Sequence, residues 1–381
     1  YSDCVIRVIE KEPACTLHAS GRNSGVLHAG FYYTADSLKA RFTRDGNREL
    51  TAYCEAHAIP LNRCGKLVVT RDASELSSLD ELLRRGRANG VQLEAISADE
   101  ARRIEPRART YERALYSPTT ASVDPVRVVN ALEHDARSEG IIIHHGMRYV
   151  GSRPGQVLTS VGSVRTGYVV NAAGLYADHI ARDYGFGRRY RILPFKGLYL
   201  YSDEAPGALR THVYPVPDLR NPFLGVHFTL TADGHVKIGP TAIPALWREQ
   251  YRGPDNFRWR EFVDIAWRQM GLVMRSGFSF TRLAIDELSK ASRARMVARA
   301  AALVDDVRLE HYRRWGPPGI RAQLADIERR ELVMDFVCEG DAHSLHVLNA
   351  VSPGFTCSLP FARYVCDLID VNVKENRRGA A

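Results

Sequence analysis

The stretch CVIRVIE at residues 4–10 and the loop SGRNSGVLHAG at 20–30 together constrain the chain most. The first is a short run rich in β-branched residues, the pattern of a buried parallel strand, and it stops at Glu10. The second is bare backbone that still carries an Arg, an Asn and a His. Glycine lets a backbone approach a flat or phosphorylated ligand where a Cβ would collide. Alone, such a Gly/Ser cluster is more often a surface loop. A strand ending on an acidic residue changes the odds, because in dinucleotide-binding units that carboxylate accepts hydrogen bonds from ribose hydroxyls. The G-x-G-x-x-G turn of such a unit lies about 20 residues earlier. It is therefore expected ahead of Tyr1, and no such motif occurs elsewhere in the sequence.

The rest of the chain alternates. Residues 37–59 read as a helix, CGKLVVTRD as a strand and residues 76–104 as an amphipathic helical stretch, with ALYSPTTASVDP an extended return. A helix opened by Pro125 and stopped by Gly140 leads into the strand IIIHHG, as an α/β domain would show. GYVVNAAGLYADHIA passes from strand through small residues to helix, so that a ligand can lie against the helix N-terminus; an ordinary strand–turn–helix reads equally well. From Pro194 the texture changes to short aromatic strands, PFKGLYLYS, THVYPVPD, FLGVHFTL and HVKIGP, which predict an antiparallel sheet. A helical block covers 258–314; strands at LVMDFVCE and LHVLNAV, the turn SPGF and a closing helix follow.

A chain of 381 residues suits two domains. No run approaches the ~18 apolar residues of a membrane helix. Seven cysteines without a C-x-x-C pair read as free thiols. The net charge of +8 is spread, and its densest patch, Arg84 to Arg87, lacks the interleaved aromatics of a nucleic-acid surface. An anionic small molecule is the better partner for the excess Arg. No metal site is expected, since His144 and His145 adjoin on a strand and point to opposite faces.

VIEKE, SGRNSGVLHAGFYYTADSLKARF, CGKLVV, VVNAAGLYAD, PFKGLYLY, YPVPDLRNPFLGVHFT, IGPTAIPA, GPPGIRAQ and LNAVSP occur in that order over nearly the whole chain. They resemble the FAD-dependent L-2-hydroxyglutarate dehydrogenase/oxidase family, within the wider D-amino-acid-oxidase-like group. The resemblance departs at Leu198, Thr241, Met334 and Arg148. It implies an α/β fold: a Rossmann-like FAD-binding domain, short of its N-terminal glycine-rich turn, and a second α+β substrate domain with an antiparallel sheet. The expected division places 1–62, 125–194 and 315–381 in the first and 63–124 and 195–314 in the second.

The same resemblance implies the site. Glu10, Ser20, Gly21, Arg22, Asn23, Ser24, Gly25, Ala173, Gly174, Ser352, Pro353 and Gly354 would contact FAD, with Gly30 also giving close backbone approach. Arg321 would hold a substrate carboxylate bidentately, Tyr214 would face the ligand, and Lys196 would serve a distal carboxylate. His28 or His227 would take the hydroxyl proton as hydride leaves C2 for flavin N5. The expected partners are a small 2-hydroxy acid and an electron acceptor, whether quinone, electron-transfer flavoprotein or oxygen. The expected compartment is mitochondrial for a eukaryotic chain, and cytoplasmic or peripheral to the inner membrane for a bacterial one. Two alternatives stay open: an amine or amino-acid oxidase on the same fold, and an inactive remnant.

Overall fold

The computed structural model describes residues 1, 3–219, 225–275 and 292–379. Its largest element is an eight-stranded sheet. In spatial order the strands are Arg314–Trp315, Leu200–Tyr201, Val236–Gly239, His227–Leu230, His212–Pro215, Lys66–Val69, Arg113–Ser117 and Glu94–Ser97. Every pairing is antiparallel except one, where His212–Pro215 runs parallel to Lys66–Val69 and sets His212 beside Lys66 and Tyr214 beside Val68. One apolar core, including Leu67, Val69, Val213, Phe228 and Ile238, packs this sheet against the helix Arg293–Ala300.

A four-stranded antiparallel sheet is built around Tyr190–Gly197 and Gly319–Asp326, with Phe195 opposite Arg321 and Lys196 opposite Ile320. Smaller parallel pairings carry the other half of the molecule: Arg7–Ile9 with Ile142–His144, and Val169–Asn171 with Ser344–Val347. The helices Leu38–Ala56 and Ser358–Gly379 lie against each other. Phe42 fixes that contact, packed against Phe336, Cys357, Phe361 and Tyr364. Burying such a ring contributes about 2 kcal/mol.

Two expected elements are divided. The stretch 76–104 is a helix Leu76–Ala88, a strand Glu94–Ser97 and a second helix Ala98–Ile104. Gly90 at φ +65° ends the first helix, and Ser97 opens the second with a capping box closed by Glu100. Likewise LVMDFVCE is not one strand: Glu331–Leu332 and Cys338–Gly340 are strands, and between them Asp335 turns inward. Its carboxylate accepts the backbone N–H groups of Leu38 (2.8 Å) and Lys39 (3.1 Å), satisfying two orphan donors at a helix start. The expected helical block 258–314 contains helices Trp259–Arg275 and Arg293–Ala300, and its middle lies outside the described residues.

Candidate active site

A cavity of about 3120 Å³ runs between the parallel-strand half and the antiparallel sheets. Glu10, Ser20, Arg22, Asn23, Ser24, His28, Ala173, Gly174, Ser352, Pro353, Gly354 and Arg321 all line it, so the structure brings together residues spread over the whole sequence. Tyr199 and Thr356, which the sequence reading did not single out, line it too.

One wall suits a dinucleotide. Glu10 follows the parallel strand and turns one carboxylate oxygen to the N–H of Glu12 at 2.8 Å. Gly174 sits at φ +54° with no atom within 4 Å of where a Cβ would stand, so bare backbone faces open space there. Ser352 to Thr356 lead into the 22-residue helix Ser358–Gly379, whose first amides and dipole favour negative charge. These features fit FAD: a carboxylate for ribose, unobstructed backbone for the pyrophosphate, and a helix N-terminus for a reduced flavin.

The loop at 20–30 uses its groups differently from the expectation. A Cβ on Gly21 would meet the carbonyl oxygen of Thr16 at 2.1 Å, and one on Gly25 that of Val123 at 2.2 Å; neither glycine lines the cavity. A Cβ on Gly30 would press on Arg44 and Thr43 at 3.2 Å. These three glycines are bare because neighbouring protein crowds them. Asn23 donates to the carbonyls of Ala19 (3.2 Å) and Ser20 (2.8 Å) and accepts the N–H of Gly25 (2.9 Å). Arg22 donates to Leu17 and Pro318 and lies 4.4 Å over the Tyr251 ring. The carbonyl of Ser24 receives Lys237 Nζ at 3.1 Å. The polar side chains therefore hold the loop's shape while presenting its edge to the cavity.

A cluster of buried titratable groups lies beside His28. Lys66, fully buried at the start of the strand Lys66–Val69, places Nζ 3.4 Å from His28 Nδ1. The rings of Tyr214, Tyr32 and Phe31 surround that ammonium position at 4.4, 5.2 and 5.5 Å. Burial pushes Lys66 down to about 7. Burial, then the charges of Lys66, His227, His212 and Arg321, holds His28 well below the usual imidazole range. Burial likewise pushes His227 down to about 3. Among the described residues, no carboxylate is prominent among the charges acting on His28 or Lys66. The cluster thus gathers Lys66 with three imidazoles, His28, His212 and His227, that burial holds toward their neutral form.

Tyr214 and His227 stand outside the cavity lining. Their rings stack with centroids 3.7 Å apart and planes 17° apart, and Tyr214 covers Lys66. Nδ1 of His227 is 2.7 Å from the carbonyl of Gly225 and must donate to it, leaving Nε2 as the acceptor nitrogen. Lys196 also lies outside the lining. Cross-strand partners share a face and successive residues alternate, so Lys196, opposite Ile320, projects from the face away from Arg321. The two do not converge on one ligand.

Lys66 was not singled out from the sequence. It heads the strand KLVV, buried along its whole length, where a charge is expensive.

Two groups among the described residues have metal-ligand spacing, Cys15–Glu133–His145 and Glu12–His18–Glu249. Each already contains a cation: Arg137 reaches Glu133 at 2.9 Å, and Lys11 bridges Glu12 and Glu249, the latter at 2.8 Å. His144 and His145 do turn to different partners, Arg7 and Glu133.

Comparison with known proteins places this geometry. The profile of a family described as FAD dependent oxidoreductase matches residues 5–368. The mitochondrial L-2-hydroxyglutarate dehydrogenase of Nematostella vectensis is 36% identical over 94% of this chain and 83% of its own length. The human mitochondrial enzyme of that name is 34% identical (95% and 82%), and the Escherichia coli K12 L-2-hydroxyglutarate dehydrogenase 32% (96% and 87%). Among solved structures, the L-α-glycerophosphate oxidase of Mycoplasma pneumoniae with FAD bound superposes with a TM-score of 0.74 at 19% identity, covering 96% of this chain and 88% of that one. The glycine oxidase of Geobacillus kaustophilus gives 0.71 at 18%, with 96% and 88% covered.

Proposed function

The chain belongs to the FAD-dependent oxidoreductase family, and on that premise we propose that it oxidises L-2-hydroxyglutarate to the 2-oxo acid. The observation that carries this reading is that one cavity is lined both by Arg321, a planar fork suited to a carboxylate, and by His28, an imidazole that burial holds toward its neutral form. A 2-hydroxy acid brings a carboxylate for the first and a hydroxyl proton for the second. The names of the relatives support the same substrate.

Bound FAD supplies the two-electron oxidant. Arg321, on the strand Gly319–Asp326, offers a planar fork to one carboxylate. His28, depressed far enough to stay neutral, offers a ring nitrogen to the C2 hydroxyl proton. Tyr199, whose phenol burial pushes up to about 12, remains a hydrogen-bond donor at the cavity wall. The buried rings of Tyr32, Tyr214 and Phe31 exclude water behind the reacting centre.

The electrons then pass to quinone, an electron-transfer flavoprotein or oxygen. No helix among the described residues is long and apolar enough to cross a membrane, and the eukaryotic relatives carry mitochondrial names. The test is anaerobic mixing of the FAD-loaded protein with L-2-hydroxyglutarate, its D-isomer and a panel of amino acids. Bleaching of the flavin by the L-acid alone is expected. Bleaching by an amino acid instead would move the chain to amine oxidation.

A further inference from the structure

Resting on that reading, we propose that Lys66 acts as a neutral amine, the end of a two-step proton relay. The C2 hydroxyl proton passes to Nε2 of His28 while the Nδ1 proton of His28 passes to Nζ of Lys66.

The argument starts from the tautomer. Nδ1 of His28 faces Lys66 at 3.4 Å, which leaves Nε2 as the ring nitrogen for a ligand in the cavity. An ammonium has donors and no acceptor. A charged Lys66 would donate to Nδ1, and a neutral His28 would then carry its proton on Nε2. In that form His28 donates to the substrate hydroxyl and cannot take its proton. A neutral amine reverses this: its lone pair accepts Nδ1–H, and Nε2 presents its own lone pair to the hydroxyl.

The surroundings favour the amine. Lys66 is 0% exposed, and three aromatic rings stand where water or a counter-ion would hold a charge. Cation–π contact offsets part of that desolvation cost, and burial still leaves the group titrating near 7.

The other titratable groups facing it are Cys64, Tyr32, Tyr214, His212 and His227. The thiol of Cys64 and both phenols are pushed up by burial and hold their protons. His212 accepts the N–H of Leu230 at Nδ1, 3.0 Å, so its proton sits on Nε2. His227 is committed to Gly225. His227 keeps an acceptor at Nε2, but the group that stands against Nδ1 of His28 is Lys66, at 3.4 Å.

The balance is complete. The hydroxyl O–H breaks and its proton joins Nε2; the Nδ1–H bond breaks and that proton joins Nζ; His28 ends neutral in the opposite tautomer. Bound FAD would accept the C2–H electron pair as hydride, and the C2–O bond would become a carbonyl. After product leaves, the ammonium proton returns through His28 to water in the cavity. Lys66 thus acts through His28 and touches no substrate.

The test uses FAD-loaded protein, with flavin reduction by L-2-hydroxyglutarate followed anaerobically in rapid mixing from about pH 5.5 to 9, bracketing the amine. In the unaltered protein the limiting rate should fall about tenfold per pH unit below 7 and level off above it. Lys66→Met should lose that limb and slow about 100-fold. Lys66→Arg, which keeps the charge but cannot become neutral, should slow as much. Binding of 2-oxoglutarate to the oxidised proteins, read from flavin absorbance, should stay within about threefold. A fast Lys66→Arg enzyme, or an unaltered enzyme with no limb between about pH 6 and 8, overturns the relay while leaving the substrate assignment intact. Failure of L-2-hydroxyglutarate to reduce the unaltered enzyme at any pH would instead overturn the substrate assignment.

Discussion

The hydroxyl of Thr356 accepts the backbone N–H of His28 at 3.2 Å and donates to the carbonyl of Val26 at 3.1 Å. One buried side chain thereby fixes the position of the imidazole from the last turn before the C-terminal helix. Thr356→Val keeps the shape and strands both backbone groups, at about 1–3 kcal/mol. A lower melting temperature is expected for the valine variant. Thr356→Ser should restore most of it.

Arg321 is the carboxylate fork of the proposed site. Arg321→Lys retains charge and loses bidentate geometry, and Arg321→Met loses both. Charge-assisted hydrogen bonds contribute about 1.5–3 kcal/mol, so KM for L-2-hydroxyglutarate should rise about 10- to 100-fold in the methionine variant. Steady-state kinetics with a dye acceptor checks this, and unchanged KM would remove Arg321 from the binding role.

Arg248 and Asp178 form a buried pair, 1% and 0% exposed, with nitrogen and oxygen 2.9 Å apart. Burial alone would raise the Asp178 carboxyl, but Arg248, His179 and Arg182 together outweigh it and hold the group below the ordinary value of 3.8. Because the folded value is depressed, its stabilisation is present above that range and is lost as pH falls through the folded value. Arg248→Ala leaves the buried carboxylate with only Arg182 at 3.3 Å and the N–H of Ile192 at 3.2 Å, a loss of about 3 kcal/mol. Urea denaturation at neutral pH should show the loss, and the double variant Arg248→Met, Asp178→Leu should recover part of it.

Gly25 and Gly146 separate crowding from backbone strain. Both have positive φ, +75° and +70°. A Cβ at Gly25 meets Val123 oxygen at 2.2 Å, whereas one at Gly146 has nothing within 4 Å. Gly146→Ala should therefore cost only the left-handed penalty, about 1–2 kcal/mol. Gly25→Ala must also displace backbone and should melt several degrees lower still.

Much of this molecule could be read from its residues, and the limits have physical causes. The strand ending at Glu10, the bare backbone at Gly174 and the S-P-G turn depend on local pattern, and all lie in the cavity wall. Arg321, singled out from its motif, lines the same cavity. Lys66 was missed because its partners, His28 and Tyr214, come from elements distant in sequence, and a strand lysine read alone looks solvated. Lys196 was expected to converge with Arg321, but the pleat that sends it elsewhere needs the Phe195–Arg321 register, which pairs strands more than a hundred residues apart. Glycine positions misled for another reason. A sequence shows that a Cβ is missing without showing whether a ligand or Thr16 occupies the space.

The Thr356–His28 contact spans 328 residues of chain. A growing polypeptide emerges N-terminus first at roughly 5–20 residues per second. The histidine is therefore exposed early and waits tens of seconds for the threonine that will seat it. The proposed reacting centre cannot be completed on a partial chain, and nascent or C-terminally clipped molecules should be catalytically silent even where the eight-stranded sheet has formed. Activity then reports that synthesis has run past residue 356, which links the chemistry of the N-terminal loop to completion of the fold.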